Sequence, residues 1–248
     1  MQLSNISTRA PKHLIKEATK EKTKELLVEL DELQNLLFAE AKHSILIVIQ
    51  GMDASGKDGA IKNVFGTLNP QGVTVRSFKA PSAEELAHDF LWRIHAHTPD
   101  KGFIQVFNRS HYGDILITRV HKWIDDEIAF KRMEAINDFE KLLINHANTT
   151  ILKFYLHISP EEQQERLQER INDPRKQWKY NARDFEEAKL WEDYMNAYEQ
   201  CFDKCSVALW TIVPADQNWY KEFIIAETLC NTMRSLNMKY PGIKKEIE

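Results

Sequence analysis

Residues 45–59, I-L-I-V-I-Q-G-M-D-A-S-G-K-D-G, constrain the fold more than any other stretch of the chain. The apolar run 45–49 predicts a buried strand. It leads directly into G-x-x-x-x-G-K, and the next residues, A-I-K-N-V-F-G-T-L, have helical spacing. A strand, a glycine-rich turn and a helix in this order are the context in which the pattern forms a phosphate-binding loop. The alternative is an ordinary glycine turn beside a solvated lysine.

Backbone N–H groups and the start of the following helix are expected to face a bound phosphate, and a lysine adds a full positive charge. The predicted phosphate-binding residues here are Ala54, Ser55, Gly56, Lys57, Asp58 and Gly59, with Lys62 on the following helix.

Two aspartates make this loop unusual. Asp58 stands where such loops normally carry the Ser or Thr whose hydroxyl binds Mg²⁺. Asp53 lies inside the loop, where its carboxylate would repel a phosphate unless a cation stood between them. Asp53 is therefore the candidate Mg²⁺ ligand. The alternative is that it only caps the turn.

Composition limits the classes of protein that remain. The chain has 248 residues, 43% hydrophobic and 28% charged, which is typical of one large soluble α/β domain. No apolar run reaches the roughly 18 residues of a membrane span, and no signal peptide is predicted. Three cysteines favour a reducing, cytoplasmic location, with Cys201 and Cys205 as packing residues. With a net charge of −4, binding of phosphate chains requires a local concentration of basic residues.

Alternating strands and helices predict a parallel sheet covered on both faces, in a three-layer α/β/α arrangement. Strands are expected at 45–49, 73–78, 103–107, 150–158 and 207–213, and helices at 12–40, after residue 57, at 82–97, over 114–147, from 160 and over 217–236. We expect an N-terminal helical extension at 1–40, a kinase-like domain at 41–236 and a polar, frayed tail at 237–248. We expect the long first helix to pack on the domain or on a partner subunit, and we therefore expect a homo-oligomer.

In such a sheet, ligands bind at the carboxyl ends of the strands. Asn108 and Arg109 follow the third strand, and Lys79 follows the second. An acidic residue normally holds Mg²⁺ at the third strand, whereas Asn108 brings no charge. Arg109 is suited to bidentate phosphate contact, or alternatively pairs with a carboxylate. His111 and Tyr112 are interpreted as packing residues.

A strongly basic segment follows the fourth strand. Residues 170–183 contain five basic residues and one acid, and Asn172-Asp173-Pro174 interrupts the helix there. P-loop kinases place a mobile lid at this position, so we predict a helical lid at about 165–185. The alternative is a solvated basic face. The predicted lid contacts to phosphate are Arg170, Arg175, Lys176, Lys179 and Arg183.

Together with Lys62, Lys79 and Arg93, these residues would line a basic channel suited to a long phosphate chain rather than to one nucleoside triphosphate. Nucleic acid is not expected as a partner, because the sequence has no aromatic-interleaved basic platform or groove-reading motif.

Several spaced motifs resemble the family-2 polyphosphate kinases: G-M-D-A-S-G-K-D-G, L-W-R-I-H, F-N-R-S-H-Y, R-x-x-D-P-x-K-x-W-K, W-x-x-Y-x-x-A-Y and W-T-I-V-P-A-D-Q-N-W-Y. The resemblance covers about residues 40–225. It implies a thymidylate-kinase-like P-loop fold and reversible Mg²⁺-dependent phosphoryl transfer, with Mn²⁺ as a substitute, between inorganic polyphosphate and adenine or guanine nucleotides. Asp53, Lys57 and Arg109 would form the catalytic core.

One departure from the family pattern is Asn108, where most members carry Asp. The N-R-S-H-Y form resembles the subgroup that phosphorylates AMP and ADP, giving ADP and ATP. Asp53, with Asp58 or Asp114, would then carry more of the metal binding. The predicted nucleotide-binding residues are Lys79, Arg93, Asn108, Arg109 and Asp114. The alternatives are an ATP-dependent nucleoside monophosphate kinase and a non-catalytic P-loop module that binds polyphosphate.

Overall fold

Five parallel strands form one sheet in the order β2-β3-β1-β4-β5. The structure is a computed structural model that describes residues 2–243. The strands are β1 (Ser44–Gln50), β2 (Val73–Ser77), β3 (Ile104–Asn108), β4 (Thr149–His157) and β5 (Trp210–Pro214). Every residue of β1 is buried, as its β-branched run predicts for the central strand of a parallel sheet. The predicted five-stranded parallel α/β fold is confirmed.

Ten α-helices connect and cover the strands within residues 2–243. They are α1 (Lys16–Glu40), α2 (Lys57–Ala60), α3 (Ala83–Leu86), α4 (Trp92–His95), α5 (Gly113–Val120), α6 (Asp126–Ala147), α7 (Pro160–Asn172), α8 (Ala182–Ala188), α9 (Trp191–Lys204) and α10 (Asn218–Ser235). A π-helical turn (Ile61–Phe65) continues α2, and a 3-10 turn (Gln177–Lys179) lies between α7 and α8.

The prediction of a single helix over residues 82–97 is wrong. Its capping box is present, because Ser82 and Glu85 exchange hydrogen bonds, but α3 ends at Leu86 and α4 begins at Trp92. Between them the side chain of Asp89 accepts a hydrogen bond of 2.9 Å from the Leu91 N–H. Aspartate side chains that bond the nearby backbone in this way compete with helix formation.

Two further boundaries differ from prediction. The first long helix begins at Lys16 rather than at residue 12, and β5 begins at Trp210 rather than at 207. The Ala208 N–H donates to Glu140 instead of to a neighbouring strand. The start of β5 is therefore displaced by a buried carboxylate that the local sequence does not reveal.

The sheet separates two apolar cores. One contains α5, α6 and α9, and the other contains α1, α2 and α10. Leu26, Leu30 and Leu37 of α1 are buried with residues of α10. Of the two expected positions for α1, the structure therefore shows packing on the domain. The domain boundaries and the homo-oligomer remain predictions, and residues 244–248 of the expected tail lie outside the described residues.

A buried ion pair connects the sheet to the first of these cores. Lys153 of β4 donates to both carboxylate oxygens of Glu140 at 2.9 Å and to Tyr112 Oη at 2.8 Å. The Lys153 and Glu140 side chains are 0% and 1% exposed. Burial lowers the pKa of Lys153, although Glu140 opposes the shift. His111 is also buried, so the interpretation of His111 and Tyr112 as packing residues is confirmed.

The three cysteines are free thiols in the interior, which confirms the packing interpretation of Cys201 and Cys205. Within residues 2–243, no helix combines the length and the apolar character that crossing a membrane requires.

Candidate active site

The glycine-rich loop joins the carboxyl end of β1 to α2, and two of its glycines are required by geometry. Gly51 lies against Ser55, whose Oγ would be 2.7 Å from a Cβ at that position. Gly56 has a φ of +91°, and a Cβ there would collide with the ammonium of Lys221. A larger residue at either position would displace the loop, because glycine alone combines these contacts and dihedral angles without strain.

Lys57 begins α2, and its side chain folds back over the loop. Its Nζ donates to the carbonyl oxygens of Gly51 at 2.8 Å and Met52 at 3.0 Å. The pKa of Lys57 is lowered to about 8, chiefly by burial; the charge of Asp53 opposes this shift and that of Arg109 adds to it. The site therefore holds a lysine whose charged form becomes more stable when a phosphate arrives.

Three side chains from α7 and α10 hold carbonyl oxygens of the loop, and we call them the rear anchors. Gln163 Nε2 donates to the Asp53 carbonyl at 3.0 Å, and Arg166 donates to the Ala54 carbonyl at 3.1 Å. Lys221 Nζ donates to the Gly56 carbonyl at 3.2 Å. The sequence indicated only that Arg166 lies one turn before Arg170; it gave no signal for the other two.

Two of the three predicted catalytic residues meet directly. Arg109, which follows β3, donates from Nη2 to Oδ1 of Asp53 in the loop at 3.0 Å. Arg109 has a φ of +63°, in the left-handed region that is uncommon for a residue with a side chain. The conformation turns the chain at the end of β3, and the Arg109 N–H bonds the Ile49 carbonyl of β1 at 3.1 Å. Asp53 and Arg109 are 25% and 49% exposed, so both are accessible to a ligand.

Asp58 faces the third strand and the lid segment. Its Oδ1 accepts a hydrogen bond of 2.8 Å from the Asn108 amide, and its Oδ2 lies 3.6 Å from Lys179 Nζ. Burial raises the pKa of Asp58, but the Asn108 hydrogen bond and the charges of Lys179 and Lys57 outweigh it and the net shift is downward. Through these two contacts, Asp58 connects the loop to the end of β3 and to the lid segment.

The predicted lid segment is formed by the end of α7, the 3-10 turn and α8. Its Arg170 pairs with Asp184, and Lys176 pairs with Glu169. Arg175 donates from Nε to Asp173 Oδ1 at 3.1 Å and from Nη2 to Asp173 Oδ2 at 3.0 Å, and its side chain is 88% exposed. Each of these cations already has a carboxylate partner, which the count of basic residues alone did not indicate.

A cleft of about 770 Å³ opens beside the loop and lies between the ends of β1, β2 and β3 and the lid segment. Asp53, Lys79, Arg109 and Arg183 are among the residues that line it. Aromatic and aliphatic side chains form much of the remaining wall: Phe78, Leu86, Phe90, Ile117, Trp123 and Tyr194. The lining of the cleft therefore combines charged side chains with apolar surfaces suited to a ring system.

Arg93 and Asp114 both line this cleft and form an ion pair. Arg93 is 8% exposed, and it donates to Asp114 Oδ2 at 3.0 Å and to the Lys79 carbonyl at 2.9 Å. Burial raises the pKa of Asp114, and the charge and hydrogen bond of Arg93 oppose this. The pair fixes the segment after β2 against α5. Contact of either residue with a nucleotide remains a prediction.

Of the twelve predicted phosphate-binding residues, Arg183 alone is among the described residues that line this cleft. Lys62 is exposed on the π-helical turn after α2, and Arg175 and Lys176 project from the lid segment. Their contact with phosphate would require a chain that extends beyond the loop.

Among residues 2–243, no group of three or more His, Cys, Asp or Glu side chains is placed to hold a metal ion. Mg²⁺ seldom requires such a group, because it keeps several waters and is commonly bound by one or two carboxylates together with substrate phosphates. The partly exposed carboxylate of Asp53, inside a phosphate-binding loop, fits that mode of binding.

A phosphate-binding loop at the end of the central strand of a parallel sheet, faced by an arginine and a basic segment, defines a P-loop kinase. Residues 13–241 match the family Polyphosphate kinase 2 (PPK2). The chain belongs to this family, which confirms the resemblance seen in its motifs.

Relatives and solved structures agree with this assignment. The AMP/ADP-polyphosphate phosphotransferase of Meiothermus ruber is 46% identical over 214 residues, which are 86% of this chain and 80% of the relative. The ADP-polyphosphate phosphotransferase of Rhodopseudomonas palustris is 45% identical over 227 residues, which are 86% of this chain and 78% of that protein. The crystal structure of Polyphosphate Kinase 2 from Arthrobacter aurescens TC1 superposes with a TM-score of 0.96 at 38% identity, and the match covers 100% of this chain and 90% of that one.

Proposed function

We propose that this protein catalyses reversible, Mg²⁺-dependent transfer of a phosphoryl group from inorganic polyphosphate to AMP and ADP. The observation that carries the proposal is the contact between the basic lid segment and the phosphate-binding loop, in which Lys179 lies 3.6 Å from Asp58. A donor held between the two would meet basic side chains along its length, as a phosphate chain requires. The Meiothermus ruber relative, named for both AMP and ADP, supports the choice of acceptors.

The donor end of the site acts by position and charge. Loop N–H groups and Lys57 hold the terminal phosphates, and Arg109 stabilises the charge that spreads over the transferred group. The acceptor phosphate is already ionised, so its oxygen attacks in line without a general base. Asp53 would hold Mg²⁺, and a bound Mg²⁺ would neutralise part of the phosphate charge. We propose that Mn²⁺ can substitute for it.

The acceptor end is the apolar part of the cleft. Phe78, Lys79 and Trp123 line the cleft; the two rings would contact the base, and Lys79 would meet the phosphate of the acceptor. We propose adenine and guanine nucleotides as acceptors, because ring and aliphatic surfaces contact either purine. We also propose a cytoplasmic homo-oligomer, and sedimentation of the purified protein tests the assembly.

The test is single-turnover ³¹P measurement of AMP plus polyphosphate with the Asp53→Ala and Lys57→Ala variants. We expect each to lose at least roughly 100-fold in rate while circular dichroism stays native. Lys20→Ala is the matched control, because it removes an exposed lysine of α1. Near-normal transfer in either folded variant would contradict the assignment.

The same assay separates the alternatives. An ATP-dependent nucleoside monophosphate kinase would use ATP with AMP and would not respond to the length of added polyphosphate. A polyphosphate-binding module would bind the chain and produce no ADP. Formation of ADP from AMP and polyphosphate without ATP excludes both.

A further inference from the structure

Lys221, in the first turn of α10, is fully buried at the rear of the phosphate-binding loop. Its Nζ donates to Asn218 Oδ1 at 2.8 Å and to the Gly56 carbonyl at 3.2 Å. Burial of an ammonium group is costly unless hydrogen bonds compensate it. In Lys221 this cost is reflected in a pKa that burial, together with the charge of Arg166, lowers to about 8. The ammonium is thus held between the loop and the first turn of α10.

The Gly56 carbonyl determines where the neighbouring amide points. In a trans peptide unit the C=O of one residue and the N–H of the next point in opposite directions. Because Lys221 holds the Gly56 carbonyl at the rear, the Lys57 N–H is turned to the opposite side, toward a ligand in the loop. Gln163 acts in the same way on the Asp53 carbonyl, which turns the Ala54 N–H.

The same carbonyl is also the first acceptor of α2, since it accepts a hydrogen bond of 3.0 Å from the Ala60 N–H. Lys221 therefore fixes both the loop and the start of α2, whose N-terminus would face a bound phosphate. Lys221 is 0% exposed, so it acts on a ligand without direct contact.

We propose that Lys221 is a positioning residue for the phosphate chain: by holding the Gly56 carbonyl it orients the loop amides, without touching the substrate. The inference rests on the proposed function and adds to it a determinant of polyphosphate binding from α10. Failure of this inference can be distinguished from failure of the proposed function, because the test measures binding of a phosphate chain separately from phosphoryl transfer.

The experiment compares Lys221→Met, Lys221→Gln and Asn218→Ala with wild type. Lys221→Met removes the donor and the charge, Lys221→Gln keeps a shorter donor, and Asn218→Ala leaves the ammonium but removes one acceptor. Lys22→Met is the matched control, because it removes a surface lysine that pairs with Glu227 of α10 at 2.9 Å.

Isothermal titration with tripolyphosphate gives the Kd, and steady-state assays give KM for polyphosphate and for AMP separately. We expect Lys221→Met to raise the tripolyphosphate Kd and the polyphosphate KM roughly tenfold to 100-fold and to lower kcat, with KM for AMP unchanged. Lys221→Gln and Asn218→Ala should give smaller changes in the same direction, and Lys22→Met none.

A lower Tm with unchanged tripolyphosphate Kd and polyphosphate KM would mean that Lys221 only stabilises the fold, and would overturn the proposal. If Lys221→Met fails to fold, Asn218→Ala decides: an unchanged Kd overturns the proposal, and a raised Kd supports it. If wild type binds tripolyphosphate but transfers nothing, the proposed function fails while the Kd series still tests Lys221.

Discussion

Replacing Asn108 with Asp would place a second carboxylate against Asp58. The two side chains now share a hydrogen bond of 2.8 Å in which the Asn108 amide is the donor. At that separation two unit negative charges repel by about 1.5 kcal/mol with the dielectric constant of water and about 6 kcal/mol at an effective value of 20. Asp58 is 67% exposed, so the lower figure applies. Because 1.4 kcal/mol is a factor of ten, a cation that relieves the repulsion should bind roughly tenfold tighter.

The assay is isothermal titration of Mg²⁺ into nucleotide-free protein at low ionic strength. We expect N108D to bind Mg²⁺ about tenfold more tightly than wild type, and its Tm to fall without Mg²⁺ and recover with it. The double variant N108D/D58N is the matched control, since it exchanges the amide and the carboxylate and restores both the hydrogen bond and the charge. Its Mg²⁺ affinity should return to the wild-type value.

Equal Mg²⁺ affinity of wild type and folded N108D would refute this reasoning. It would show that Asp58 moves away from its new neighbour, toward Lys179 or into solvent, instead of forming a cation site. A high affinity in both N108D and N108D/D58N would place the new ligand at residue 108 alone.

Two other predictions concern buried lysines. The pKa of Lys57 is lowered to about 8, so kcat/KM for polyphosphate should be constant below pH 8 and fall as pH rises above it, because the neutral amine no longer attracts phosphate. The fall in kcat should occur at higher pH, since bound phosphate stabilises the charged form. A flat kcat/KM profile to pH 9.5 would contradict this assignment. Lys153→Met should lower the free energy of unfolding by about 3–5 kcal/mol in urea titrations, because Glu140 is then buried without its cation. Adding Glu140→Leu should recover most of the loss, and no recovery would show that the network is not acting as an ion pair.

Much of the site could be predicted because its core is local in sequence. Asp53 and Lys57 lie in one loop, and the strand before them and the helix after them follow from spacing alone. The placement of Arg109 at the same edge of the sheet as the loop followed from the rule that parallel strands end at one edge, whereas its pairing with a carboxylate was only the alternative. These inferences required no knowledge of distant packing.

The rear anchors could not be predicted in this way. Gln163 contacts a residue 110 positions earlier, and Lys221 contacts one 165 positions earlier. Such contacts depend on how α7 and α10 dock, which neither periodicity nor a motif specifies. The carboxylate partners of Arg170 and Lys176 lie only 14 and 7 positions away, and they reduce the free charge of a segment whose sequence is strongly basic.

The long separation between Gly56 and Lys221 has a consequence during synthesis. A nascent chain that has just completed the G-x-x-x-x-G-K sequence lacks the α10 lysine, which follows 165 residues later. At about 5–20 residues per second, this delay lasts roughly 8–33 s. Throughout that interval the loop has its sequence but not its Lys221 contact. On the proposed role of Lys221, full affinity for a phosphate chain would be acquired only after α10 has docked on the loop.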